Sequence, residues 1–269
     1  MAAQVHVSHP SDGVAQLLLD NGPRNFSTAP LHERLEEVLT GVREAGSRVV
    51  VLGSAVEGYF VSHGHIGDIV GNLTGSSPPS GDPRSFLRVQ KELDTGPMVS
   101  IAAMDGQAWG GGFLLALSCD FRVASERTTI CQPEILAGVC TAGEAARIIH
   151  LVGESAAKRL LLDGRPIDAT EAHRLGLVDR VVPAGTALDE AVEWATWMAG
   201  RRPGDLTMDK DLIVGSRGLP LQEALRRETG MFVSRFSDEE TVERLLEVQR
   251  RYDAGSDSYE AFGIPSPPM

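Results

Sequence analysis

Cysteine is scarce in this chain, basic charge is outweighed, and long apolar runs are missing. Three cysteines, Cys119, Cys131 and Cys140, make an odd count without a CxxC pair. That argues against a disulfide framework and a thiolate zinc site, and it fits a reducing cytosol. The 25 basic residues face 37 acidic ones, for a formal charge of -12. Nucleic acid is therefore not expected as a partner, because neutralising phosphates needs a basic face. No segment reaches the roughly 18 consecutive apolar residues of a membrane span. The start "MAAQVHVSHPSDG" lacks the basic stretch and apolar run of a secretory leader, and the final "SPPM" is not a peroxisomal address. The expectation is a cytoplasmic protein that uses no membrane.

What the chain does contain is alternation of strand and helix. "VAQLLLD" (14–20) reads as a strand. "APLHERLEEVLTGVREAG" (29–46) puts Leu31, Leu35, Val38, Leu39 and Val42 on one helical face, and "RVVVLGS" (48–54) is a β-branched run suited to a strand covered on both faces. The segment from 53 to 69 reads as a loop and "GNLTGSSPPSGDP" (71–83) as a mobile connection. A helix near 85–94, a strand at 98–106, an apolar helix and a strand at 121–125 repeat the order. Beyond them the chain is mostly amphipathic helix, with the short strand "VDRVV" among the helices. The division expected is an α/β core over 1–195 and a helical region over 196–269, the latter too thin to bury its apolar faces alone.

The anomaly lies in "MDGQAWGGGFLLALSCD", where Gly110, Gly111 and Gly112 open an apolar helix although each glycine costs about 1 kcal/mol against alanine. Glycines at a strand-to-helix junction let a ligand touch the backbone, and a helix start offers free N–H groups with partial positive charge. The sequence does not end in the Gly-Lys-Ser/Thr of a phosphate loop, nor does it give GxGxxG. The physical reading is an anion-stabilising cradle, with tight helix packing alone as the alternative.

The stretch "AAMDGQAWGGGFLLALSCDFRVASERTTICQPEILAGV" resembles the signature of the crotonase superfamily, the enoyl-CoA hydratase and isomerase group. "LDNGPRNFSTAPLHERLEEVL", "VVVLGSAVEGYFVSHGHI" and "LLLDGRPIDATEAHRLGLVDRVVP" extend the resemblance over nearly the whole chain. It implies an α/β crotonase-like spiral of β-β-α repeats, with a C-terminal helical region that forms a homotrimer or a dimer of trimers. It also implies an acyl-CoA or acyl-carrier thioester as substrate, with coenzyme A entering only as part of it and no separate cofactor. By motif position the backbone N–H groups of Gly64 and Gly111 would hold the thioester oxygen as it gains charge, and preorganised donors of this kind are worth several kcal/mol. Ser62 and Gly110, beside them, are assigned with Arg24 and Phe26 to binding the coenzyme A portion of the substrate. Arg24 and Phe26 fall where the family runs along the CoA nucleotide, although a solvated Arg and a core Phe explain them equally well.

Two glutamates serve as acid and base in the family's hydratases. Here the first position is Leu114 and the second is Glu134, so the two-carboxylate route to water addition is in doubt and Glu134 is the expected proton carrier. A lone carboxyl in an apolar pocket has its pKa raised toward a useful range. Double-bond isomerisation, which needs one base, fits best. Hydration or its reverse would need help from His63, His65 or Glu144. Glu144 falls near a second acid found in some dienoyl-CoA isomerases of the family, though a first-turn glutamate favoured by the helix dipole is the plainer reading. His63 and His65 flank Gly64 as donors or relays; as a metal site the pair lacks a third ligand, and no metal is expected. Cys131 and Cys140 read as small apolar fillers. Decarboxylation or carbon–carbon cleavage of a β-substituted thioester is the alternative chemistry, and a catalytically silent acyl-CoA binder the alternative class.

Overall fold

In the computed structural model, which describes residues 2–265, the chain divides into two compact units, one ending at Asp211 and one beginning at Leu212. The first unit is α/β. Strands β1 (Gln4–Ser11) and β2 (Val14–Asp20) form an antiparallel hairpin, and helix α1 (Ala29–Glu44) leads to β3 (Val49–Ser54), parallel to β2. α1 starts where the side chain of Thr28 accepts from the N–H of Leu31, with a proline in its first turn. Its buried face carries the five expected apolar residues and, in addition, His32.

From β3 onward each turn of the chain lays down a long strand and then a short one. β3 is followed by β4 (Tyr59–Val61), helix α2 (Ile66–Thr74) and helix α3 (Ser85–Thr95). Next come β5 (Val99–Met104), β6 (Gln107–Trp109) and α4 (Gly111–Ser118), then β7 (Phe121–Ser125), β8 (Thr129–Cys131), a 3₁₀ turn at Pro133–Ala137 and α5 (Glu144–Asp163). The turn closes with β9 (Ile167–Asp168), α6 (Ala169–Arg174), β10 (Arg180–Val182), α7 (Ala187–Ala199) and α8 (Asp205–Gly215). The longer strands and the three-residue β10 join one sheet in the order β1-β2-β3-β5-β7-β10, and the other short ones a second sheet in the order β4-β6-β8-β9. This is the β-β-α spiral. The segment expected to be loop holds β4 and α2 instead: the side chain of His65 caps α2 by accepting from the N–H of Asp68, and Gly75 ends it at a φ of 67°.

Successive residues of the central strands point to opposite faces, so both faces of the large sheet are apolar. Val49, Val51, Val99, Ile101 and Val123 pack against α7, whose Ala187, Ala191, Ala195 and Ala199 form a small-residue stripe against the strands. The other face, with Val50, Leu52, Ala102 and Met104, packs under α1, α3 and α4. The boundary expected at 195/196 falls within α7.

One buried ion pair ties α8 to this core. Lys210 is 7% exposed and donates to the carbonyls of Leu93 and Met98 and to Asp120 Oδ2, each at 2.7 Å. Asp120 also accepts from the N–H and hydroxyl of Ser100, and burial pushes its carboxyl above the usual carboxylate range against the pull of Lys210. In the second unit, α9 (Leu221–Ser234), α10 (Glu239–Asp253) and α11 (Ser258–Phe262) leave Leu221, Phe232, Val233, Leu246 and Phe262 more than half exposed.

Removing one partner from a buried pair leaves an uncompensated charge, which costs about 3–5 kcal/mol. Lys210→Ala is accordingly expected to lower the urea midpoint by an amount equivalent to about that loss. A change below about 1 kcal/mol in the unfolding free energy would show that water reaches Asp120.

Candidate active site

Each glycine of the triplet meets a different constraint. Gly110 stands at a φ of 46°, and a β-carbon on it would lie 2.7 Å from Glu134 Oε1 and 3.2 Å from His63 Cβ. A β-carbon on Gly112 would be driven into the carbonyl of Val61, the last residue of β4. Gly111 differs. A β-carbon there would find its nearest neighbours at ordinary contact distance, Ser27 Oγ at 3.4 Å and the nitrogen of Gly64 at 3.7 Å. The outer two glycines let α4 approach β4 and the 3₁₀ turn; the middle one leaves only the room of a β-carbon between itself, Ser27 and Gly64.

Two backbone donors border that space. The loop of Gly64 is held by Ser27, whose N–H donates to the carbonyl of His63 at 3.2 Å and whose carbonyl accepts from the N–H of His65 at 3.1 Å. In this bridge the N–H of Gly64 turns away from Ser27, and it has no acceptor among the described residues. The N–H of Gly111, in the first turn of α4, has none either. Ser62 is buried, with its N–H donating to the carbonyl of Asn25 and its hydroxyl to Gln107.

Glu134 sits in the 3₁₀ turn after β8. Its Oε2 is buried without a hydrogen-bond partner, and burial pushes its carboxyl up, with a smaller push from the charge of Glu144. Glu144 opens α5 and is 2% exposed. Its Oε2 accepts from the N–H of Ala142 at 2.7 Å, and burial raises its pKa as well. The structure thus makes Glu144 both a first-turn glutamate and a neighbour of Glu134. Leu114, fully buried, turns its Cδ atoms toward Gly143, which caps α5.

The histidines separate. His63 lies beside Gly110 and its Nδ1 is 2.8 Å from the carbonyl of Gly64, whereas His65 is committed to capping α2 and lies 3.0 Å from Asp68 Oδ1. Phe26 packs against both rings, at centroid distances of 5.2 and 5.4 Å, rather than in the core. Arg24 is exposed. No cluster of three metal-binding side chains occurs among the described residues. Cys131 is buried and its thiol is pushed up to about 11, as befits a filler, but Cys140 is exposed and is not one.

Two groups of polar residues escape a reading of the sequence. Asn25, buried and at a φ of 47°, donates from Nδ2 to the carbonyls of Leu19 and Phe60 and to Ser54 Oγ, binding β2, β3 and β4 together. An Asn amid Gly and Pro is a turn signal, but these partners lie up to 35 residues away. Ser27 Oγ lies 2.7 Å from His32 Nε2. A histidine on the apolar face of α1 was the available hint. A cavity of about 340 Å³ beyond the ends of β3 and β5, lined by Ser54, Glu57, Asp105 and Arg127 among others, includes none of the candidate residues.

The family model for enoyl-CoA hydratase/isomerase matches residues 9–252. The probable enoyl-CoA hydratase EchA17 of Mycobacterium tuberculosis is 32% identical over 233 residues, covering 84% of this chain and 86% of that protein. Other curated relatives are matched over little more than half their length: a probable enoyl-CoA hydratase of Rhizobium meliloti is 42% identical over 53% of this chain, which spans 56% of that protein. Among solved structures, enoyl-CoA hydratase from Bacillus anthracis superposes with a TM-score of 0.80 at 27% identity, covering 93% of this chain and 96% of the other. The spiral of paired strands, the glycine triplet against β4 and these matches agree: the chain has the crotonase fold and belongs to the enoyl-CoA hydratase/isomerase family.

Proposed function

We propose that the protein is an enzyme acting on acyl-CoA or a related pantetheine thioester, with the thioester oxygen held by the N–H groups of Gly64 and Gly111 and a proton carried by Glu134. The observation that carries this reading is the pair of unpartnered backbone donors at Gly64 and Gly111, with the carboxylate of Glu134 against Gly110 through Oε1 and its Oε2 buried without a partner. An unsatisfied buried carboxylate oxygen is costly in a folded protein, which favours a ligand that satisfies it. Charge developing on the thioester oxygen, as an enolate forms, would be met by donors already in place.

Glu134 then removes a proton from the substrate carbon and returns it to another, which is double-bond isomerisation. Hydration or dehydration is the second reading, and the burial of Glu144 near Glu134 favours keeping it: a second carboxyl could handle the water while Glu134 handles carbon. Coenzyme A enters as part of the substrate, and no separate cofactor is called for. The exposed apolar residues of the second unit, Phe232 and Val233 among them, support self-association as a homotrimer or dimer of trimers.

Incubation in deuterated water with saturated, 2-enoyl, 3-enoyl and malonyl-type CoA thioesters, followed by mass spectrometry, tests the chemistry. Deuterium uptake or rearranged product is expected, and Glu134→Gln should reduce it by about 10²–10⁴-fold, the usual worth of a positioned acid-base group. Uptake that survives this substitution, or carbon dioxide release from malonyl thioesters, would overturn the assignment.

The direction of the Glu134 shift sets the pH dependence. Burial favours the protonated acid, so the base form appears only at a pH above the usual glutamate range. The acid limb of kcat/KM should therefore lie higher than for an ordinary carboxylate. Glu144→Gln removes a like charge and should move that limb downward. If Glu144 also carries a proton, the same substitution will lower the plateau of kcat; an unmoved limb with an unmoved plateau would leave it as a helix-start residue alone.

A further inference from the structure

Ser27 and His32 play no part in the reaction just described, yet they stand at its centre. Ser27 is half-buried, and its Oγ and the nitrogen of Gly64 are the closest polar atoms to the point a β-carbon on Gly111 would occupy, at 3.4 and 3.7 Å. The Ser27 hydroxyl and the N–H groups of Gly64 and Gly111, which have no acceptor among the described residues, thus lie around one position. Behind the hydroxyl lies an imidazole. His32 is 2% exposed, packs edge-on against Phe86 at a centroid distance of 4.6 Å, and places Nε2 2.7 Å from Ser27 Oγ. Its Nδ1 is buried and has no partner among the described residues.

A nucleophile bonded to a base, with oxyanion donors around one reactive position, is the geometry of acyl transfer. We propose that Ser27 and His32 give this protein a second activity, hydrolysis of the acyl thioester through an acyl ester on Ser27. The proposal rests on the thioester reading above. With the ring proton on Nδ1, Nε2 accepts the Ser27 hydroxyl. Ser27 Oγ attacks the thioester carbon while His32 takes its proton, and the carbonyl oxygen carries the negative charge between the N–H groups of Gly64 and Gly111. The carbon–sulfur bond then breaks and the departing thiolate takes the proton from His32. Water attacks the resulting ester, His32 receives the water's proton and returns it to Ser27 Oγ, and the carboxylic acid leaves. The sum is thioester plus water giving acid plus thiol.

Burial holds the imidazole neutral, with its pKa lowered to about 4, so the ring is in the accepting form at neutral pH but resists becoming a cation. No carboxylate stands behind Nδ1 to stabilise that cation. In serine hydrolases, spoiling the third member of the triad costs about 10⁴-fold in kcat. The hydrolysis is accordingly slow, and deacylation by buried water is the step at which an acyl-enzyme accumulates.

The experiment incubates the full-length protein with a saturated acyl-CoA, which offers no double bond to move. It reads thiol release with a chromogenic disulfide, intact mass, and deuterium exchange at the carbon next to the thioester in parallel. Expected are thiol release above the buffer rate, a mass increase of one acyl group, and its location on the peptide that contains Ser27. Ser27→Ala should abolish the adduct and reduce release at least tenfold, and His32→Asn should slow both formation and decay of the adduct. Because the adduct is mapped on the unmodified protein, a variant that fails to fold leaves the test standing. Exchange without thiol release or adduct would overturn this proposal while sparing the thioester reading. Absence of exchange, release and adduct together would overturn both. An adduct on another residue, or release undiminished in a folded Ser27→Ala protein, would also overturn it.

Discussion

Everything at the candidate site depends on how closely the first turn of α4 can press against the end of β4. Gly112 permits it, because any β-carbon there would collide with the carbonyl of Val61. With that contact made, the chain after β4 brings the nitrogen of Gly64 to 3.7 Å from the place a β-carbon on Gly111 would take. A helix start is normally satisfied by a capping side chain or by water. Gly110 can supply no side-chain cap, and the structure records none. The N–H of Gly111 is thereby left without an acceptor among the described residues.

The neighbourhood is unusual in what it buries. Glu134 Oε2, the side-chain oxygen and nitrogen of Gln132 and His32 Nδ1 have no partner among the described residues, while Asn25 is fully engaged. Orphaned groups of this kind cost about 1–3 kcal/mol each, so a fold that tolerates several in one place pays for something other than stability. The rest of the first unit can bear it. Both faces of the large sheet are covered, the Lys210–Asp120 pair anchors α8, and Asn25 fixes the crossing of β2, β3 and β4.

The long elements were legible in the sequence because their signals are local. "RVVVLGS" and "MVSIAAM" are continuous buried strands, and the face of α1 repeats with helical period. The short strands were not: β4, β6 and β8 have three residues each, too few to show alternation, and they exist because each pairs with the next turn of the spiral. Helix α2 escaped for a related reason, since its sequence is rich in glycine and its start depends on a histidine cap. At the site, the glycine triplet and Glu134 were legible through motif and spacing. The closeness of Glu144 to Glu134 was not, because it is set by where α5 begins. The Ser27–His32 pair and the reach of Asn25 are tertiary facts with no local pattern.

Leu114 is where the local and tertiary signals diverge most usefully. Read along the chain, it removes an acid from α4 and leaves Glu134 alone. In the folded protein it is a fully buried apolar wall beside Gly143, at the point where α5 begins with Glu144. Burial raises the cost of charge on both carboxyls, and the charge of Glu144 adds to the cost at Glu134, while the N–H of Ala142 and the charge of Arg147 pull Glu144 the other way. With no acid on α4, a second buried carboxyl still lies in the neighbourhood of Glu134, at the start of α5, where the helix dipole and the N–H of Ala142 favour its charge and burial opposes it. The balance between those two influences decides whether Glu144 stores a proton or only begins a helix.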